Sequence, residues 1–530
     1  MAGGLNVKME FLVKLFNKIC VVLPLGISAV LALGFWMGLL DNVLPSYDYA
    51  NDPMNYKVCS LIILFVLVLI CCLIIYVFKR YINRVKNQVA KHCISAGVLF
   101  LFAFGIRFLL VYIFRENIIP FSDFRRVWEI AHGQMEGNID YYSLFPAYLN
   151  FAVFEQELIA LTGDVYMHLI YLNVILSALT IMLIYFIAWF ITKDDTISLL
   201  TGLILTLMPS NIVYVAVGTP EFITIFFNTL GVLFLILLMQ TNKSTRPYFR
   251  YPYALLSGIS LGIGTSYKSF AVIILFAFFL AFSFERISLM RKEHWKRVRY
   301  LLIELFLTLG LLVVSYSSVK SVILTHTENV LHLEADTSAS FPHYFLIGLN
   351  TEGEGQISLG TISRLYYKEY LSNGLDVEAA KEYAFEVLKE DWSTNKDRIV
   401  PLFIKKNIRA WQNDIVPAKF WNYNVGLIAD SPVEKMIYEF SAEKLPTIMQ
   451  LYYFLTMLFA TMGLLFVMRN KEINYSMEFC LLIIFGYFCL LMLSEAQSRY
   501  KCLIMPYVCV ISAIGICKIV RKINFRRFKK

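Results

Sequence analysis

The run CISAGVLFLFAFGIRFLLVYIF, residues 93–114, followed by RENIIP and then FSDFRRVWEIAHG, residues 121–133, decides how this chain must be read. The first stretch is apolar over a length sufficient to cross about 30 Å of hydrocarbon as a helix, for which roughly 20 residues are needed. The charges that follow put Asp123 within a few residues of a bilayer surface.

The whole chain repeats this theme. Of 530 residues, 58% are hydrophobic and 15% aromatic, while only 16% are charged, and the mean hydropathy is +0.62. Such a chain is a polytopic membrane protein. Its net charge of +9 comes from Lys and Arg gathered in short segments between apolar runs, as positive cytoplasmic loops are, which argues against a nucleic-acid partner. The ten cysteines lie in or beside apolar runs and form neither a disulfide framework nor a zinc spacing. The first apolar run has no clean cleavage site and is read as retained.

A template of one membrane-crossing helix fits near 19–40, 58–78, 93–115, 167–191, 197–217, 222–240, 253–266, 269–284, 301–320, 446–468, 476–494 and 501–519. The expected fold class is therefore an all-α polytopic protein of about twelve transmembrane helices, with an extracytoplasmic mixed α/β or α-rich domain. Nine spans fall in 1–320, which includes an outer loop at 116–166. The extracytoplasmic domain is 321–445, and three spans with a basic tail complete 446–530. If the chain alternates, the basic segments KRYINRVK, MRKEHWKRVR and RKINFRRFKK share one side, so both termini are expected in the cytoplasm. In the outer domain, residues 375–392 repeat apolar positions at helical spacing.

In the smaller outer loop, Phe124, Val127, Trp128, Ala131 and Met135 recur at three- and four-residue steps, with Arg125, Arg126 and Glu129 opposite. This is an amphipathic helix suited to a membrane surface. Ser122 and Asp123 stand at its start, where a capping oxygen and a negative charge are wanted. Other polar groups sit at the outer ends of spans, where each is costly unless paired, hydrated or used. Arg107 lies inside its helix end, from which it could snorkel. Glu221 follows Thr219 and Pro220, Lys268 occupies GTSYKSF, and Glu495, Arg499 and Lys501 cluster in LSEAQSRYKC. A rim of carboxylates and cations beside apolar helices suits a ligand that is part lipid and part phosphate. It also holds the parts for transferring a sugar from a polyprenyl phosphate: cations for the leaving phosphate and a base for the acceptor.

Arg107, then Ser122 and Asp123, Ala131 and Gly133, Tyr142, and Phe145 with Pro146, resemble the first extracytoplasmic loop of GT-C fold glycosyltransferases, the membrane enzymes that include protein O-mannosyltransferases and aminoarabinose transferases. The resemblance continues through residues 172–192, 207–222, 258–270 and 493–506. It implies that Asp123 is the catalytic base and that Arg499, Lys268 and Arg107 bind the donor phosphate. Glu221 and Glu495 are secondary acidic candidates, and Arg125, Arg126 and Tyr500 are candidates for substrate contact. The implied donor is a polyprenyl-phosphate sugar, and the acceptor an envelope glycopolymer, a lipid or a protein. Some members use a divalent cation such as Mg or Mn, and no His, Asp or Glu cluster here decides that matter. Two departures stand out: Lys268 occupies a turn where many relatives carry an Arg-Pro pair, and Asp123 follows the third apolar run, not the first.

Trp411, Trp421, Tyr344 and Tyr423 are candidates for stacking on sugar rings, or for packing a core. Two other functions share much of this pattern. A polymerase or ligase would take an oligosaccharide from a polyprenyl diphosphate, and a flippase or transporter would carry midplane polar residues and an internal repeat. The lack of cysteines and glycosylation acceptors in the outer loops favours a bacterial plasma membrane, with teichoic acid or wall polysaccharide as a natural acceptor.

Overall fold

The computed structural model describes residues 84–135, 145–241, 249–290, 295–333, 340–355, 377–415, 445–470 and 474–527, with a few isolated positions. Regular structure among them is helical, and no strand occurs. The expectation of a mixed α/β outer domain is thus met, among the described residues, only in its α-rich form.

Helix α1, Gln88–Ile113, opens on Asn87, whose side chain accepts from the Val89 and Ala90 amides and so satisfies two of the donors a helix start leaves unpaired. A short helix α2, Ser122–Ala131, leads to α3, Pro146–Thr162, and the long α4, Tyr166–Thr192. Next come α5, Asp195–Thr206, and α6, Pro209–Tyr214. The sequence reads 197–217 as one span, but Pro209 cannot continue a helix from the preceding turn, and the chain breaks at Leu207 and Met208. The carbonyls freed by the break are not left bare: Arg107 donates to Leu205 and Thr206.

The next helices are α7, Glu221–Gln240, α8, Arg250–Tyr267, α9, Ala271–Met290, and α10, Trp295–Leu331. At 37 residues α10 is about 55 Å long, well beyond a bilayer's hydrocarbon. It also crosses the expected domain boundary at 320 without interruption. Helices α11, Ser340–Leu349, α12, Val377–Thr394, and α13, Lys396–Trp411, follow, and α12 matches the helical spacing read at 375–392. The chain closes with α14, Leu445–Asn470, α15, Tyr475–Leu493, a 3-10 turn at Ser498–Leu503, and α16, Met505–Arg527.

Seven of these helices are long and apolar enough to cross a membrane: α1, α4, α7, α9, α10, α14 and α15. Helices α8 and α16 fall short of that standard, and the expected spans 19–40 and 58–78 lie outside the described residues, so the count of twelve is not reproduced. Two close crossings lock the bundle. A Cβ on Gly264 of α8 would come 2.5 Å from Asn228 Oδ1 of α7. One on Gly463 of α14 would come 2.1 Å from the Ile511 carbonyl of α16. Small residues let helix backbones approach where no hydrophobic force from water drives them together.

Candidate active site

The antiparallel contact of α7 and α8 puts the first residue of one beside the last turn of the other. Thr224 Oγ1 donates to the Gly264 carbonyl at 3.1 Å, which fixes their register. Glu221 and the residue after α8, Lys268, therefore meet at the same end of the bundle. Lys268 Nζ donates to Glu221 Oε1 at 2.6 Å, with the Glu221 side chain 1% exposed. Burial works against the Lys268 charge, but Glu221 outweighs it and holds the ammonium above its usual range.

The 3-10 turn supplies the next groups. Lys268 Nζ lies 4.7 Å from the centroid of the Tyr500 ring, and the Arg499 guanidinium lies 5.2 Å from the same centroid, so one aromatic ring serves two cations. The Tyr500 hydroxyl donates to Glu495 Oε2 at 2.8 Å. Tyr148, on the first turn of α3, is within electrostatic reach of Lys268, Arg499, Glu221 and Asp123. Burial raises its phenol above the usual range, against the pull of Lys268 and Arg499.

These groups surround a cavity of about 450 Å³ lined by Tyr148, Lys268, Tyr344, Glu495 and Tyr500 and by apolar groups such as Phe145, Phe270 and Leu490. Neither Glu221 nor Arg499 is among the lining residues; both reach the cavity through Lys268 and Tyr500. The wall extends to Val272 of α9 and to Lys320 and Leu324 of α10. Val272 is 60% exposed, so the apolar side of the cavity reaches the outer surface of the bundle. The volume lies within the range typical of small-molecule sites.

Asp123 stands at the edge of this group. It is exposed, it occupies the first turn of α2, and the helix start carries no side-chain cap; the expected capping bond is replaced by charge at the helix start alone. Ser122 before it has φ 53°, a left-handed conformation that costs a non-glycine residue energy and that clusters at functional sites. The Tyr142 hydroxyl donates to the Asp123 carbonyl at 3.4 Å. Asp123 does not line the cavity.

The remaining expected residues fall elsewhere. Arg107 does not snorkel: it is fully buried. Its Nε donates to Ser177 Oγ at 2.9 Å, and its terminal nitrogens donate to the carbonyls of Ala103, Thr206 and Leu205 and to Asn211 Oδ1. A guanidinium has five N–H donors, and these contacts take all of them, so Arg107 holds the helix break and keeps no donor for a phosphate. Lys501 is likewise buried and donates to the Ala410 and Asn413 carbonyls at the end of α13. Arg125 pairs with Glu129 at 3.0 Å, and Arg126 is exposed. The apolar face of α2 does not rest on a membrane: Phe124, Val127 and Ile130 are buried in a cluster with Val111, Tyr142, Leu149 and Phe151. Trp411 is 1% exposed in the main core, whereas Tyr344 lines the cavity. Trp421 and Tyr423 lie outside the described residues.

Sequence reasoning missed Tyr148 and Lys406. Tyr148 follows Phe145 and Pro146, and only the fold shows that this turn enters the site. Lys406, whose Nζ donates to the Gly348 and Met492 carbonyls, stands in the stretch KKNIRAWQNDIVPAKFW, residues 405–421, which resembles patches of bacterial relatives but from whose residues no role follows. Among the described residues no three His, Cys, Asp or Glu side chains come together as a metal site, so the divalent cation considered above finds no ready ligand set there.

Residues 142–327 match the family model of dolichyl-phosphate-mannose-protein mannosyltransferases. The match covers about a third of the chain, and together with seven helices long and apolar enough to cross a membrane it supports a membrane protein of the GT-C fold class. The matched stretch takes in Tyr148, Glu221 and Lys268 and excludes Asp123, Glu495 and Arg499. No curated protein matches the chain. Among solved structures, it is similar to the archaeal oligosaccharyltransferase AglB from Archaeoglobus fulgidus, in complex with an inhibitory peptide and a dolichol-phosphate. The identity is 12% and the TM-score 0.40, over 83% of this chain and 52% of that one. The Archaeoglobus fulgidus oligosaccharyltransferase in the apo form is similar at 13% identity and a TM-score of 0.39, over 82% and 51%. The chain spans about half the length of these structures.

Proposed function

We propose that the protein is a membrane glycosyltransferase that moves a monosaccharide from a polyprenyl-phosphate donor to an acceptor on the extracytoplasmic side of a plasma membrane. The observation that carries this reading is the cavity: it joins the cationic side chain of Lys268 at one wall to an apolar wall that reaches the surface of the bundle between α9 and α10. A lipid phosphate needs both. The polyprenyl chain lies along the apolar side, and Lys268, backed by Arg499, takes the phosphate.

In the proposed reaction the acceptor oxygen attacks the anomeric carbon as the bond from that carbon to the phosphate oxygen breaks. The bonding electrons leave with the phosphate, whose added charge Lys268 and Arg499 stabilise. The acceptor proton passes to Asp123 late in the displacement, and the configuration inverts. The acceptor is an envelope glycopolymer, a lipid or a protein. The test is transfer of labelled sugar from polyprenyl-phosphate donors by membranes carrying wild type or Asp123→Asn at equal abundance. Loss of transfer with donor binding intact supports the role of Asp123, and undiminished transfer removes it.

A further inference from the structure

Glu495 has no place in the chemistry above, yet it is held as firmly as any residue in the site. It is 6% exposed and lines the cavity. The Tyr500 hydroxyl donates to one carboxylate oxygen at 2.8 Å, and the Gln497 side-chain amide donates to the other. A carboxylate offers about four acceptor positions, so these two bonds leave about half of them open. Among the described residues no cation forms an ion pair with it. The backbone around it is clamped on both sides: Lys406 Nζ donates to the Met492 carbonyl at 2.6 Å, and the Ala496 amide donates to the Gly355 carbonyl at 3.0 Å. These two bonds fix the backbone that carries Glu495, and the Tyr500 and Gln497 bonds orient its carboxylate before any ligand arrives, as a recognition group must be.

We propose that Glu495 is a specificity-determining residue that accepts hydrogen bonds from hydroxyl groups of the sugar carried by the lipid donor. This rests on the glycosyltransferase reading of the same cavity. The Tyr500 ring ties the two ends of the donor together: its face lies under Lys268, which takes the phosphate, and its hydroxyl holds Glu495, which reads the sugar. A donor lacking the matching hydroxyl leaves a buried carboxylate under-satisfied, and sites built to bond a hydroxyl reject analogues without it far more strongly than apolar pockets reject a missing methylene.

The experiment uses the full-length protein in micelles with polyprenyl-phosphate hexose and its monodeoxy analogues. It measures both transfer and binding, the latter by donor-dependent thermal stabilisation. Wild type is expected to disfavour at least one deoxy donor by about 10,000-fold in kcat/KM, and Glu495→Gln to reduce that ratio to about 100-fold or less while its melting curve stays cooperative. Glu495→Asp, which withdraws the carboxylate by one methylene, is expected to fall between them. Transfer with the same discrimination in all three proteins overturns the role of Glu495 and leaves the glycosyltransferase reading standing. Absent transfer with Glu495-dependent discrimination in binding does the reverse. Failure to bind any sugar donor overturns both.

Discussion

Lys268 Nζ and Glu221 Oε1 lie 2.6 Å apart at the junction of two antiparallel helices, with the Glu221 side chain almost wholly out of solvent. Removing one member of such a pair strands the other. Glu221→Ala is therefore expected to cost about 3 kcal/mol, measured as the unfolding midpoint in micelles. The double variant Glu221→Leu with Lys268→Met is expected to recover most of that loss while remaining inactive. Recovery of activity in the double variant would show that Lys268 does not hold the donor phosphate.

Arg107 makes a different prediction, because its donors all go to protein. Arg107→Met leaves the Leu205 and Thr206 carbonyls buried without their partner and is expected to cost about 3 kcal/mol or more. In the protein that still folds, KM for the donor is expected to stay near the wild-type value. A large rise in KM with an unchanged melting curve would return Arg107 to the ligand.

The crossing of α14 and α16 leaves no room for a side chain, since a Cβ on Gly463 would lie 2.1 Å from the Ile511 carbonyl and one on Gly515 would lie 2.0 Å from the Phe459 carbonyl. Gly463→Ala is expected to destabilise the fold by about 2 kcal/mol. Gly310, whose Cβ would meet nothing within 4 Å, is the control position, and Gly310→Ala is expected to be neutral or mildly stabilising. Equal melting points for the two variants would refute the close crossing.

Lys406 gives a pH dependence with a definite sign. Burial pushes its amine down to about 7, against the pull of Glu495, while the unfolded chain keeps it near about 10.4. Between those values the unfolded state binds the proton and the folded state does not, so the contribution of this group to stability rises with pH across that window. Wild type is expected to gain up to about 2 kcal/mol relative to Lys406→Met between pH of about 7 and about 9. A difference that stays flat or falls would mean that the folded protein keeps an ammonium there.

The segment 197–217 shows where reading the sequence runs short. Its composition suits a span, and Pro209 hints at a break, but a proline near a helix start is also well tolerated. The break stands because Arg107, far away in the chain, supplies donors to the freed carbonyls. The apolar face of α2 is a similar case: its periodicity is plain, but the same pattern suits a lipid surface or a protein core, and the packing against α3 selects the core.

By itself the sequence determined that this is a helical membrane protein, because a run of apolar residues long enough to cross hydrocarbon has few other fates. It also picked out Glu221, Lys268, Glu495 and Arg499 as polar groups at the ends of apolar runs, since such placement is costly and therefore informative. Only the tertiary structure decided that Lys268 pairs with Glu221, that Tyr500 links Lys268 to Glu495, and that Arg107 serves a helix break. Hydrogen bonds and ion pairs depend on distances of a few ångströms between side chains far apart in the chain, and helix packing sets those distances.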